Sequence, residues 1–209
     1  MASNTKEQIL NAAEMLFAEH GFADTSLRAI TQAAKVNLAS VNYHFGSKKL
    51  LIQAVLQRYL DVLMPEIDHQ LTIMLEKNES PTTEQLMTTL VDPLLSLNRV
   101  RPNGTATFVQ LLGRGYTETQ GHLRRFMTVN FGDVLGRFMG IIQDVVPGLS
   151  AADLFWRLHF AMGTFVFSMA SSQALGEIAA ADYQEDFDIK NVIEKLVRYI
   201  SAGLDAPAN

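Results

Sequence analysis

Apolar residues recur along nearly the whole chain at intervals of three and four, and no stretch alternates convincingly at two, so the pattern predicts helices and no strands. The first helix spans residues 6–20, with Ile9, Leu10, Ala13, Leu16 and Phe17 on one face; Asn4 with Glu7 forms a capping box and Gly21 closes the helix. Leu27, Ile30 and Ala34 mark a second, capped by Thr25 or Ser26, and Lys35-Val36-Asn37 interrupts it. A third helix covers residues 38–44 and ends at Gly46; Ser47 then caps a fourth over 48–77, bent near Pro65. Asn78-Glu79-Ser80-Pro81 reads as a loop, followed by a second capping box at Thr82 and Gln85. That box opens a helix over 83–97 with a kink at Pro93. Helices over 105–116, over 118–145 (from Glu118), over 150–175 (capped by Ser150 with Asp153) and over 188–204 complete an all-α chain of about nine. Residues 180–186 are expected to be a loose connector whose acids, Asp182, Glu185, Asp186 and Asp188, are solvated.

The segment over 25–51 carries the clearest chemistry. Val41 and Phe45 point inward from its short second helix. Ala39, Ser40, Asn42, Tyr43 and His44 then face solvent, a small, polar or aromatic set without an acid. Such a helix is about 10 Å long, which suits a major groove about 12 Å wide. Lys48 and Lys49 stand beside the free N–H groups of the next helix, where they form a phosphate clamp. The arrangement is a helix-turn-helix that binds DNA. An asparagine can pair bidentately with adenine, and Leu38 or Ala39 can touch a thymine methyl group. Thr25, Ser26 and Arg28 are candidate phosphate contacts, with plain helix capping and a solvated arginine as the bland alternative.

VNYHFGSKKLLIQAV, with the upstream ILNAAEMLFAEHGFADTSLRAI, closely resembles the helix-turn-helix of TetR-family transcriptional regulators. The resemblance spans about residues 5–60. It implies that Tyr43, His44 and Lys48 hold backbone phosphates, with Ser47 and Lys49 alongside, while Ser40 and Asn42 reach bases. Val36-Asn37-Leu38, Asn42 through Lys49, Gln120-Gly121-His122-Leu123-Arg124 and Leu154 through Phe160 further resemble the PsrA-type, fatty-acid-responsive group. The family resemblance implies a DNA-binding domain at 1–47, a connecting helix at 48–77, and a ligand-binding and dimerisation domain at 78–209. It also implies a homodimeric repressor on a palindromic operator, with recognition helices about 34–36 Å apart, paired through the last two helices.

Composition adjusts this picture in three places. The net charge is −5, but through Leu60 six lysines and arginines face four acids, against eleven and eighteen in the remainder: a basic head on an acidic body. The absence of cysteine rules out disulfides and thiolate chemistry. The longest apolar run, over 160–169, is too short to span a bilayer and no export signal stands at the start, so a cytoplasmic protein without a membrane partner is expected.

The body's candidate chemistry is apolar. Gly132, Gly136 and Gly140 recur on one helix face, at about 1 kcal/mol each relative to alanine. Close helix packing or room for a guest would account for them. Phe131, Leu135, Gly136, Phe138 and Met139, with Phe108, Leu111, Leu112, Trp156, His159, Phe160 and Gly163, are the candidate wall for a small hydrophobic effector, a fatty acid or acyl-CoA. Arg114, His122, Arg124, Arg137, Arg157 and His159 are the candidate carboxylate partners, and Arg124 with Arg125 could meet CoA phosphates. Two apolar stripes suggest the dimer contact: Ile189, Val192, Ile193, Leu196, Val197 and Ile200, and Phe155, Leu158, Met162, Phe165 and Met169. A multidrug sensor is the rival regulator. No phosphate loop, metal-spaced histidine pair or nucleophile elbow points to an enzyme, and no cofactor is expected.

Overall fold

The computed structural model describes residues 2–77, 80–117, 121–185 and 188–208. Among these the order is α1 (Ala2–His20), α2 (Leu27–Ala33), α3 (Leu38–Phe45), α4 (Lys48–Lys77), α5 (Thr83–Thr88), α6 (Val91–Ser96), a 3-10 turn (Leu97–Arg99), α7 (Gly104–Thr117), α8 (Gly121–Val145), α9 (Ala151–Ala170), α10 (Ser172–Tyr183) and α11 (Ile189–Asp205). Every predicted helix is present, and two are split. The helix expected over 83–97 stops where Leu90 N–H turns back to the Met87 carbonyl at 3.2 Å. It restarts as α6, so Pro93 falls in a first turn, where its missing donor is harmless. The helix over 150–175 breaks at Ser171, which ends α9 with its N–H on the Phe167 carbonyl at 3.0 Å and starts α10 without a side-chain cap. The alanine-rich stretch after it stays helical to Tyr183, replacing most of the expected loose connector. Helix α1 begins four residues before the expected start; the Asn4 side chain lies outside the described residues. So do Asn78 and Glu79 of the predicted loop, Glu118 and Gln120 before α8, and Asp186 of the acidic cluster.

The chain packs as two compact units, Met1–Val62 with Leu97–Asn130 and Leu63–Ser96 with Phe131–Asn209. In the first, Ile9, Phe17, Phe22, Ile30, Val41, Leu51, Val55 and Tyr59 are buried together with Leu97, Phe108, Val109 and Leu111. Tyr59 stacks near Phe108 at 5.6 Å between ring centroids. Burial pushes its hydroxyl pKa up to about 12, against the smaller opposing pulls of Arg58 and Thr107. Gly104 lies so close to the Leu97 backbone that a Cβ there would sit 2.1 Å from the Leu97 carbonyl oxygen. In the second unit Leu71, Met74, Leu86, Met87, Ile142, Val146, Leu154 and Leu204 form the core.

Candidate nucleic-acid interface

The turn that presents α3 is built locally. Ala34 closes α2, and Lys35 takes a left-handed φ of 55°. The Lys35 and Val36 N–H groups donate to the Gln32 and Thr31 carbonyls, a Schellman closure with lysine where glycine is commoner. Asn37 then caps α3 by accepting the Ser40 N–H at 2.9 Å. Gly46, at φ 73°, ends α3, and Ser47 accepts the Leu50 N–H at 3.2 Å to open α4. Val41 and Phe45 anchor the helix inside. Outward stand Leu38 (50% exposed), Ala39, Asn42 and Tyr43 (84% exposed); Ser40 and His44 are half-buried, and the Tyr43 and His44 rings meet edge to face. Lys49 and Arg28 are exposed, whereas Lys48 donates to the Ala23 carbonyl at 3.1 Å and thereby ties the start of α4 to the loop before α2.

Two of the predicted contacts are placed differently from one another. Ser26 is the cap of α2, accepting the Ala29 N–H, and remains exposed. Thr25 is buried: its hydroxyl donates to the Gly21 carbonyl at 2.7 Å and the Leu16 carbonyl at 3.1 Å, so it closes α1 and offers nothing to a phosphate.

Sequence reasoning missed a charged network behind this face. Glu14 on α1 is fully buried. Arg58 of α4 reaches it at 3.0 Å and holds Glu7 at 2.5 Å and Asn11 at 2.8 Å. Arg101, from the segment fixed by Gly104, pairs with the same carboxylate. The signal was present: Leu10, Ala13, Glu14 and Phe17 occupy one helical face, and an acid there demands partners. Arg114 also serves this unit, donating to the Glu19 carbonyl at 2.9 Å near the α1 C-terminus, where a cation is favoured.

The twelve residues predicted to wall an effector site are divided between the two units. Phe108, Leu111 and Leu112 belong to the first unit, the first two as buried core. The other nine belong to the second. Phe138 packs against its core, Phe131 and Leu135 are half-buried, Met139 is partly exposed, and a Cβ added at Gly132, Gly136, Gly140 or Gly163 meets nothing within 4 Å. Neither close helix packing nor an enclosing wall therefore surrounds the glycine stripe within the described chain. Trp156 (56% exposed) and Phe160 (64% exposed) stack on each other on the outer side of α9, next to Phe155 and the half-buried His159, with Phe167 further along. Of the α9 stripe assigned to dimer contact, Met169 is buried, Leu158, Met162 and Phe165 are half-buried, and Phe155 is exposed. Ile193, Leu196 and Leu204 of α11 are likewise buried, and α11 packs on α5 and α9. An open groove of about 550 Å³ beside α4, α5 and α6 is lined by Gln70, Met74, Lys77, Gln85 and Asp92 among others, and contains none of the predicted wall.

The candidate carboxylate partners are mostly engaged. Arg137 pairs with Asp68 at 2.6 Å and donates to Thr72 at 2.9 Å. Arg157 donates to the Leu204 carbonyl at 2.9 Å, the Pro207 carbonyl at 2.9 Å and the Ala206 carbonyl, capping α11. His159 Nδ1 lies 2.7 Å from the Phe155 carbonyl of its own helix. Burial lowers the pKa of His122 below the usual histidine value, with Lys49 adding to the shift. No described helix is long and apolar enough to cross a membrane.

Comparison with known proteins agrees with this geometry. The probable HTH-type transcriptional regulator YttP of Bacillus subtilis is 31% identical over 94 residues, 45% of this chain and 44% of its own length. The regulator UidR of Escherichia coli is 40% identical over 55 residues, 26% and 28%. The regulator TtgR of Pseudomonas putida is 40% identical over 68 residues, 32% and 30%. The chain spans less than half the length of these curated relatives. Among solved structures, a mutant of HlyIIR superposes with a TM-score of 0.63 at 20% identity, covering 98% of this chain and 97% of that one. AmtR of Mycobacterium smegmatis gives 0.55 at 20% identity over 98% and 87%. Residues 9–55 match the family of bacterial regulatory proteins named tetR, and residues 88–203 match the tetracyclin repressor-like C-terminal domain. With the amino-terminal helix-turn-helix and more than half the chain accounted for by its two domains, this protein belongs to the TetR family of transcriptional regulators.

Proposed function

We propose that the protein is a repressor whose α3 reads a palindromic operator as a homodimer, and that a hydrophobic effector releases it. The observation that carries this reading is the acid-free outward face of α3, with Tyr43 projecting and Lys49 exposed at the start of α4. So short a helix reads few bases alone, and pairing two copies about 34–36 Å apart extends the site. In functional terms residues 1–47 bind DNA, 48–77 connect, and 78–209 serve the effector and the dimer; this division cuts across the packing units. Work on DNA calls for a cytoplasmic location. Phe155, Trp156, Phe160 and Phe167 of α9 and Leu175 and Ile178 of α10 all stand exposed, and large apolar side chains left outside the core in such number call for cover by a second copy.

Resemblance to the PsrA-type group and a second unit rich in phenylalanine and methionine support a long-chain fatty acid or acyl-CoA as effector. A neutral hydrophobe is the second reading, favoured by the engagement of Arg137 and Arg157 with partners inside the chain. The effector shifts the operator equilibrium only by its differential affinity for the bound and free forms. A mobility shift on the promoter of the protein's own gene, titrated with oleate, oleoyl-CoA, an uncharged hydrophobe and a cationic dye, separates these readings. Release by oleate or oleoyl-CoA alone supports the acyl effector; release by the uncharged compound supports the second reading. Absence of a specific shift would sink the operator reading itself.

A further inference from the structure

Two side chains at the head of α3 fix each other's hydrogen-bonding polarity. The Ser40 backbone N–H lies 2.9 Å from the Asn37 carboxamide. A backbone amide only donates, so the atom facing it is the carbonyl oxygen, Oδ1, and the NH₂ group takes the other side. The Ser40 hydroxyl lies 3.0 Å from that same oxygen and gives it its single proton. Asn37, exposed, is left with donors to present outward; Ser40, half-buried, is left with lone pairs. Leu38 and Ala39 between them carry no polar side-chain atom, so these two residues supply the side-chain polarity of the first turn.

We propose that this pair sets base selectivity at the leading end of the recognition helix. Asn37 acts as a donor toward an acceptor on the DNA, and Ser40 as an acceptor toward a base amino group. In the major groove only cytosine N4 and adenine N6 offer that amino group. Asn37 is also barred from pairing bidentately with adenine, which needs the oxygen that Ser40 occupies. The inference rests on the reading of α3 as the helix that enters the groove.

Selection of binding sites from a randomised duplex library, with the full-length protein and its Asn37→Asp and Ser40→Ala variants, tests it. Aspartate keeps an oxygen for the Ser40 N–H, so the cap survives while the amino donor becomes an acceptor. The wild-type half-site should contain one position restricted to cytosine or adenine, and Ser40→Ala should flatten that preference by about tenfold. Asn37→Asp should bind the wild-type consensus at least about tenfold more weakly at an unchanged melting temperature. Should Asn37→Asp melt lower, Ser40→Ala decides alone, because it removes one hydroxyl from a helical position that alanine fills well. Identical half-site preferences in Ser40→Ala would overturn the proposal, as would undiminished binding by Asn37→Asp. If the wild-type protein enriches no palindrome, the operator reading fails first; if it does while the variants match it, the assigned polarity alone fails.

Discussion

The two packing units contrast in how completely each uses its apolar and charged side chains. In the first, Phe17, Phe22, Phe45 and Phe108 are buried, Glu14 is met by two arginines, and the turn between α2 and α3 is closed by backbone hydrogen bonds. Tyr43, Leu38 and the cations left at its surface form a compact face suited to DNA. In the second, Leu71, Ile142, Leu154 and Leu204 make a core, yet Phe155, Trp156, Phe160 and Phe167 remain outside it. A unit that finishes its own core can present a rigid reading helix. One that leaves aromatic side chains in water is built for something further to bind.

The largest expected effect breaks the contrast at the outer face of α9. Phe160→Glu should convert a dimer to a monomer and weaken operator binding by more than about a hundredfold, because a charge would have to be desolvated in an apolar contact. Sedimentation equilibrium reads the mass and a mobility shift the affinity, with circular dichroism as the check on folding. Retention of the dimer would show that another surface pairs the copies.

Next in size is the buried acid. Glu14→Ala leaves Arg58 and Arg101 without their shared carboxylate; since both arginines reach solvent and Arg58 keeps Glu7, the loss should be about 1–3 kcal/mol. Urea unfolding should show a lower midpoint with the slope unchanged. A loss below about 1 kcal/mol, the usual worth of a surface pair, would mean the network is solvated in solution.

A pair of glycines sharpens the comparison further. Gly104→Ala in the first unit drives a Cβ against the Leu97 backbone, which cannot swing aside as a side chain could, and should destabilise by about 1–3 kcal/mol. Gly136→Ala in the second meets open space inside a helix and should stabilise by about 0.5–1 kcal/mol. Thermal unfolding of the two variants gives opposite signs. A destabilised Gly136→Ala would reveal a close partner at the glycine stripe.

The same contrast governs what was legible in the chain. Caps are local, and Ser47, the Thr82–Gln85 box and Ser150 are found as read from neighbouring residues. Val41 and Phe45 are inside and Tyr43 outside as spacing required, while Leu38, on the same side of the helix at its first turn, is left half-exposed. Helix α9 is apolar nearly all round, so its period cannot say whether Leu158 or Phe160 turns inward. Arg157 illustrates a second limit. A lone arginine between Trp156 and Leu158 reads equally as a ligand anchor or a surface charge, and its use as the cap of α11 depends on a contact 47 residues away. Glu14 was readable in principle but invisible to a charge tally, which treats every acid as solvated.

The smallest effect returns to the DNA-facing unit. Burial and Lys49 both lower the folded-state pKa of His122. Between that lowered value and the ordinary value near 6.5, the unfolded chain binds more protons than the folded one. Stability from this group is therefore complete above about pH 6.5 and is lost as the pH falls through the window below it. His122→Asn removes the titration and should flatten that part of the stability–pH curve while leaving the plateau at higher pH nearly unchanged. Since Lys49 stands beside the α3 face, protonating His122 also adds a second positive charge near the start of α4. Operator affinity and stability should then move in opposite directions on mild acidification, the first rising by charge as the second falls. If His122→Asn shows the same slope as the wild type just below about pH 6.5, another group carries the dependence.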